Sequence, residues 1–393
     1  MNKVLTVVDL FAGVGGFTLG FLKPDPNRSL KFDVRLLVDV DPTAAFTFKK
    51  NFPRIPYWPK DLSLVNGNQL LGLAKLKQGD LDLLIGGPPC QGFSSNGKRW
   101  LEDNRNRLMA HFIQLAKEIC PKCIIIENVP AVLSALPKIF SEQIHDSLSG
   151  YHVSTSVLNA SEFGVPQIRR RAFIVAIRED LKLCNFDFPS GSHDALEIGH
   201  DSHMESKSHL RFVSVEEAIG DLPPLSAGKA VDGQPYHAAP NSDYQRARRI
   251  ASIGVFNHIS RAHSKAFVEK ISIIEPGEGN ASLPDAQRFS DNYYSQAYAR
   301  LHPKGIGFTV TAHFRNPGSG RFTHYRDNRS ISVREAARLQ SFDDRYIFYG
   351  YETDQERHVG NAVPPLLASA LAQHFGSIIS GAECKQEPTT SHQ

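Results

Sequence analysis

The chain has 393 residues, 41% of them hydrophobic and 22% charged, with a formal net charge of +3. That length suits one large domain or two modest ones, and the composition excludes a disordered or fibrous chain. A net charge this small excludes recognition of a polyanion by bulk charge alone, and five scattered cysteines exclude a disulfide framework.

The opening run Val4-Leu5-Thr6-Val7-Val8 is too short and poorly flanked for a secretory signal and reads as a buried strand. No uninterrupted apolar run approaches a membrane span, so a cytoplasmic protein without membrane contact is expected. Further short runs of Val, Ile and Leu follow at 34–40, 81–85, 123–126, 153–158 and 172–177, the pattern of strands buried on both faces. Helices are predicted from Pro42, over 106–118 and over 141–149. The alternation predicts an α/β fold with a doubly wound, mostly parallel sheet. From about 183 to 330 the chain is rich in Gly, Pro, Ser, His and Asn, with turn signals such as Pro223-Pro224 and Asn316-Pro317-Gly318, which predicts a smaller irregular domain. Helix returns at 333–339 behind a Ser332 cap and again at 364–375. The expected organisation is 1–182, then 183–351, then 352–393.

Several constellations carry chemistry. The loop Asp9-Leu10-Phe11-Ala12-Gly13-Val14-Gly15-Gly16 leaves the first strand, and its glycines let the backbone turn tightly against a ligand. Its spacing is not that of a dinucleotide loop, and its leading acid suits a ligand with a cationic end. Asp39 ends the second strand, where an acid can accept from ribose hydroxyls, while Asp41 before Pro42 also suits a helix cap. Asp61 stands after a further strand. Gly86-Gly87-Pro88-Pro89-Cys90-Gln91 leaves the strand at 81–85; two prolines pre-shape the loop around one thiol, as a nucleophile requires. Glu127 follows three isoleucines, and apolar surroundings there would favour a carboxyl able to hold a proton; a helix cap before Pro130 is the plain alternative. Gln167, Arg169 and Arg171 leave one side of an extended segment by period two and suit a planar base, a phosphate or a carboxylate. Arg246-Ala247-Arg248-Arg249 and the histidines concentrated between His193 and His324 read as solvated faces unless the substrate is a polyanion. Cys120-Pro121-Lys122-Cys123 has metal-like spacing but no second pair, so no metal is expected.

Taken in order, Gly87-Pro88-Pro89-Cys90-Gln91, Glu127-Asn128-Val129, Gln167 to Arg171, Arg334 to Phe342 and Gly360-Asn361-Ala362-Val363-Pro364 resemble the motifs of bacterial cytosine-5 DNA methyltransferases of restriction-modification type. The resemblance covers about 4–177 and 257–375. It implies an S-adenosylmethionine-binding, Rossmann-like catalytic domain at 1–182, a target-recognition domain with a bracing helix at 183–351, and a C-terminal helix returning to the first domain. It implies a catalytic set of Cys90, Glu127, Arg169 and Arg171. It places Phe11, Gly13, Gly15, Asp39, Asp61, Pro88, Asn361 and Val363 at S-adenosylmethionine (product S-adenosylhomocysteine), and Pro89, Gln91, Asn128 and Gln167 at the substrate. The implied substrate is double-stranded DNA; a monomer is expected, with a separate cognate endonuclease as a further partner.

In the implied chemistry the Cys90 thiolate adds to carbon 6 of a flipped-out cytosine, which makes carbon 5 nucleophilic, and Glu127 offsets charge at the ring nitrogen. The loop 91–100 is expected to close over the base. Two departures stand out. Asp39 and Val40 replace the family's usual Glu and frequent aromatic, which shortens the acid and reduces stacking on adenine. Asp343 replaces the usual Pro after Phe342. Three alternatives remain: a tRNA cytosine methyltransferase, whose Cys-Phe-Thr signature is Arg321-Phe322-Thr323 here; an inert DNA-binding homologue, opposed by the intact Cys90, Glu127 and Arg171; and a small-molecule methyltransferase, opposed by the large second domain.

Overall fold

The computed structural model describes residues 3–23, 30–89, 106–134, 147–183, 185–194, 210–289 and 296–384. The chain divides into two compact units. One gathers the described residues of 1–158, 170–190 and 367–393; the other gathers those of 159–169 and 191–366.

The first unit is built on β1 (Val4–Leu10), β2 (Lys31–Asp39), β3 (Tyr57–Pro59), β4 (Leu83–Gly86), β5 (Cys123–Asn128), β6 (Tyr151–Asn159) and β7 (Arg170–Arg178), ordered β3-β2-β1-β4-β5-β7-β6 in one sheet. β1 to β5 pair in parallel. Leu5, Val7 and Leu10 of β1 and Ile125 and Ile126 of β5 are 0% exposed, which is why these strands read as unbroken apolar runs. The helices α1 (Gly16–Leu22), α2 (Pro42–Asn51), α3 (Gly67–Ala74) and α4 (Asn106–Ile119) alternate with them. Asp41 caps α2 by accepting from the Thr43 and Ala44 amides, and Pro42 occupies the first turn, where its missing N–H costs nothing. Met109, Phe112, Ile113, Ala116 and Ile119 form the buried stripe of α4, the larger of these side chains stabilising by roughly 1.5–3 kcal/mol each. The helix expected at 141–149 lies largely outside the described residues.

Order along the sheet decides where chemistry can sit. Leu10, Asp39, Gly86 and Asn128 end their strands at one edge, and the order reverses between β1 and β4, the position where open α/β sheets bind ligands. β7 runs antiparallel to β5, with Glu127 facing Phe173 and Asn128 facing Ala172, so the start of β7 returns to the same edge.

The C-terminal helix runs Pro365–Cys384, longer than expected. The described stretch Glu352–Ala382 is long and apolar enough to cross a membrane by length and composition alone. Leu367, Leu371, Phe375 and Ile379, four apart, are 0% exposed and pack it as a core helix.

The second unit is irregular, with the two-stranded ribbon Ala230–Val231 and His258–Ile259, five short α-helices and four 3-10 turns among its described residues. Its interior relies on buried guanidinium groups. Arg329 forks onto Glu335, Arg338 pairs with Asp344 and Asp221, and Arg300 donates to the carbonyls of Ile274 and His324. Loop carbonyls without a ladder partner are thus satisfied by side chains. The units follow contacts rather than the chain boundaries at 182 and 351. Residues 159–169 group with the second unit because Gln167 and Arg169 bond to its backbone, and 352–366 belong there too.

Candidate active site

The loop after β1 is held in an unusual shape by groups from β2 and β3. Phe11, Gly13 and Gly15 all have left-handed φ, at 58°, 51° and 74°. Gly15 also lies where a Cβ would meet the Phe48 ring at 2.5 Å, so only glycine fits. Asp39 Oδ2 accepts from the Gly13 amide at 2.9 Å and Oδ1 from the Asp41 amide at 2.9 Å, while the Tyr57 hydroxyl donates to the Gly13 carbonyl at 2.7 Å. A Cβ on Gly13 would meet nothing within 4 Å, so open space borders the loop backbone there. Val40 is 65% exposed. Asp61 accepts from the Ser63 amide and hydroxyl, which with those bonds foremost lowers its carboxyl from the ordinary range. It stands next to Lys60, whose amide donates to the Asp39 carbonyl at 2.8 Å.

Asp9 opens this loop and is only 1% exposed. Its Oδ2 accepts from the Thr18 hydroxyl at 2.5 Å, and its Oδ1 is buried without a hydrogen-bond partner. Burial above all, with the nearby Asp39 charge, pushes this carboxyl up to about 7, against the opposing Thr18 bond.

At the β4 and β5 exits the side chains form a second group. Asn128 is buried and its Nδ2 donates to the Pro88 carbonyl at 3.0 Å, which ties the Pro-Pro segment to β5. Arg171 Nε lies 2.8 Å from Glu127 Oε1, with both side chains about one-seventh exposed (15% and 13%). Glu127 therefore stands against a guanidinium, not in the apolar surroundings expected, and it lies within β5 rather than capping a helix. A Cβ on Gly87 would sit 3.2 Å from Glu127 Oε2, so the strand exit passes close beside the carboxylate. Pro89 is half-buried next in the chain. Cys90, Gln91 and the loop 91–100 lie outside the described residues.

The three period-two side chains do not act as one set. Arg171 pairs with Glu127 in the first unit. Gln167 and Arg169 belong to the second, where they are 0% and 2% exposed. The Gln167 amide donates to Leu339 O and Gln340 Oε1, and Arg169 donates to Val310 O and Gly360 O. Both are closed to a ligand as they stand, because strand β7 begins only at Arg170 and the chain before it is packed inward. Asn361 and Val363 also fall in the second unit, Asn361 exposed and Val363 buried.

The basic clusters resolve similarly. Arg248 donates to Ser341 O and pairs with Asp343, the residue that departs from the family pattern. Arg249 pairs with Asp221, and His258 and His324 are buried. These side chains hold the unit together, so they are not open to a polyanion; Arg246, Lys229, Arg261 and Lys265 are exposed. Cys123 is buried at 0% exposure, which pushes its thiol up, and among the described residues no three His, Cys, Asp or Glu side chains cluster as metal ligands. Sequence reasoning passed over Thr18 and Tyr57, whose positions carry no local signature, and gave Gln340, inside the motif Arg334 to Phe342, no role of its own.

Residues 5–377 match the family described as C-5 cytosine-specific DNA methylase. The chain is 34% identical to the type II methyltransferase M.DdeI of Desulfomicrobium norvegicum over 94% of its own length and 88% of that protein. It is 33% identical to the type II methyltransferase M1.HphI of Haemophilus parahaemolyticus over 94% and 86%. Among solved structures, a DNA modification methyltransferase encoded within an E. coli prophage aligns with a TM-score of 0.72 at 27% identity, covering 96% of this chain and 99% of that one. The loop after β1, the Glu127–Arg171 pair at the β5 exit and this match over nearly the whole chain agree: the protein belongs to the C-5 cytosine-specific DNA methylase family.

Proposed function

We propose that this DNA (cytosine-5) methyltransferase carries out its reaction on a flipped-out cytosine, with Cys90 as nucleophile and the Glu127–Arg171 pair as the group that grips the base. The pair is the observation that carries the reading. A carboxylate and a guanidinium 2.8 Å apart at the carboxyl edge of β5 offer an acceptor and donors to one planar amide-like edge. Glu127 accepts from the cytosine amino group beside the ring nitrogen, and Arg171 donates to the base carbonyl. Negative charge that builds on the ring as the Cys90 sulfur adds to carbon 6 is offset by the positive charge of the Arg171 guanidinium. Asn128 holds Pro88, and Pro88-Pro89 fix the strand exit that precedes Cys90 in the chain.

S-adenosylmethionine, the cofactor this family implies, supplies an electrophilic sulfonium methyl. The residues present suit it. Gly13 borders open space, Asp39 already fixes the loop, and Asp9 brings a buried acid with an unpartnered oxygen to a loop meant for a cationic ligand. Phe11, Gly13, Gly15, Asp39, Asp61, Pro88, Asn361 and Val363 are the holding residues. The second unit chooses the target in double-stranded DNA, with exposed Lys229, Arg261 and Lys265 on phosphates. Gln167 and Arg169 serve by positioning rather than by touching the base. On this reading the protein works in the cytoplasm as a monomer on DNA, beside a separately encoded endonuclease.

The test uses DNA containing 5-fluorocytosine, which cannot lose a proton from carbon 5. A Cys90-linked adduct should appear by mass spectrometry, and Cys90→Ala should abolish both adduct and turnover. Near-normal methylation by Cys90→Ala would sink the assignment.

A further inference from the structure

The turn that ends the helix Glu352–Asn361 is gripped from behind by buried polar side chains. Gln340, 0% exposed, donates through Nε2 to the carbonyls of Val359 at 2.8 Å and Ala362 at 3.4 Å. Its Oε1 accepts from Gln167 Nε2 at 2.9 Å, and Gln167 in turn donates to Leu339 O at 2.8 Å and accepts from the Val310 amide at 3.0 Å. Arg169 adds a bond to Gly360 O at 3.0 Å and another to Val310 O at 2.9 Å. Gly360 packs directly on the backbone of Thr311 and Ala312, where a Cβ would clash.

The last carbonyls of a helix are usually left to water or to a glycine cap. Here three carbonyls around Asn361, those of Val359, Gly360 and Ala362, are each fixed by a side chain from a distant segment. Asn361 itself is exposed at the tip. One cap would end the helix. Two buried side chains making three bonds, Gln340 two and Arg169 one, over-determine the turn, which is what a pre-organised contact requires, because a side chain held in place before binding loses less freedom on binding. A fully satisfied buried amide network also has discrete geometry and gives little.

We propose that Gln340 is a positioning residue for cofactor binding, acting through the 359–362 turn on Asn361. The proposal rests on the reading of Asn361 as a contact to S-adenosylmethionine. It predicts that Gln340 matters to the cofactor and not to DNA.

The experiment replaces Gln340 with Met, which keeps the volume and removes both donors and acceptor. Calorimetric titration with S-adenosylmethionine should show Kd raised about tenfold, the effect of one net hydrogen bond, with DNA affinity within about twofold. Combined with Asn361→Ala, Gln340→Met should add almost nothing, since both act through one contact. Thermal unfolding checks that the variants are folded. Should Gln340→Met not fold, Gln340→Asn, one methylene too short to reach its partners, carries the same expectation. Parental cofactor affinity in a folded Gln340 variant, equal weakening for cofactor and DNA, or full additivity with Asn361→Ala would each overturn the proposal. Parental affinity in Asn361→Ala alone would instead overturn the assignment of Asn361 on which it rests.

Discussion

Asp9→Asn should stabilise the free protein at pH 8 and leave it near parental stability at pH 5. The side chain is 1% exposed, one oxygen is bonded to Thr18 and the other has no partner. Burial foremost raises the folded carboxyl from 3.8 to about 7. A group raised on folding contributes stability that is complete below its unfolded value and is lost as pH rises through its folded value. At about 1.4 kcal/mol per pH unit over that interval, the loss reaches roughly 4 kcal/mol above pH 7. Asparagine does not ionise and can still accept from Thr18, but it places an N–H where Oδ1 had no partner, at a cost of about 1–3 kcal/mol. The net expectation is a gain of roughly 1–3 kcal/mol at pH 8 and close to zero at pH 5, where only part of the parental loss has accrued. Urea unfolding of parent and variant at both pH values reads this directly, because other titrating groups cancel in the difference. A difference between variant and parent that is the same at pH 5 and pH 8 would refute the reasoning, since Asp9 would then ionise as freely folded as unfolded.

Arg171→Lys keeps the charge but loses the planar fork beside Glu127, 2.8 Å away, so single-turnover methylation should slow by about 10–100-fold, the range for a hydrogen bond to a charged group; an unchanged rate would remove Arg171 from the site. Arg329→Met should cost about 3–5 kcal/mol in thermal unfolding, because it strands the buried Glu335 carboxylate, and Glu335→Leu added to it should recover part of the loss. Lys229→Ala and Arg261→Ala should each lower the slope of log DNA affinity against log salt by about 1 with target choice intact, and a changed target without a changed slope would place them on bases instead.

Much of the first unit was legible because each of its signals is local. Strands buried on both faces must be apolar throughout, so β1, β5 and β7 stand close to where the runs lie. Asp41 with Pro42 is a capping pattern, as is Ser332 in the second unit, and both cap as such patterns do. The motif positions of Glu127 and Asn128 follow from a carboxylate and an amide at a strand end. Position along the chain could not say what each polar group faces. Glu127 meets Arg171 because β7 runs antiparallel to β5, a topology no local pattern encodes. The arginines and histidines of the second unit read as solvated faces, or as a surface for a polyanion if the substrate is one, yet many of them bond to buried carbonyls and carboxylates. Gln167 and Arg169 lie in the same motif as Arg171 but turn into the other unit, where they meet Gln340 and Gly360 far along the chain. Sequence alone determined which residue types stand at strand ends and in loops, since backbone periodicity and capping act over a few neighbours. Tertiary structure decided which guanidinium meets Glu127 at the sheet edge and which serves the scaffold, because a buried polar group goes wherever an unsatisfied partner lies in space.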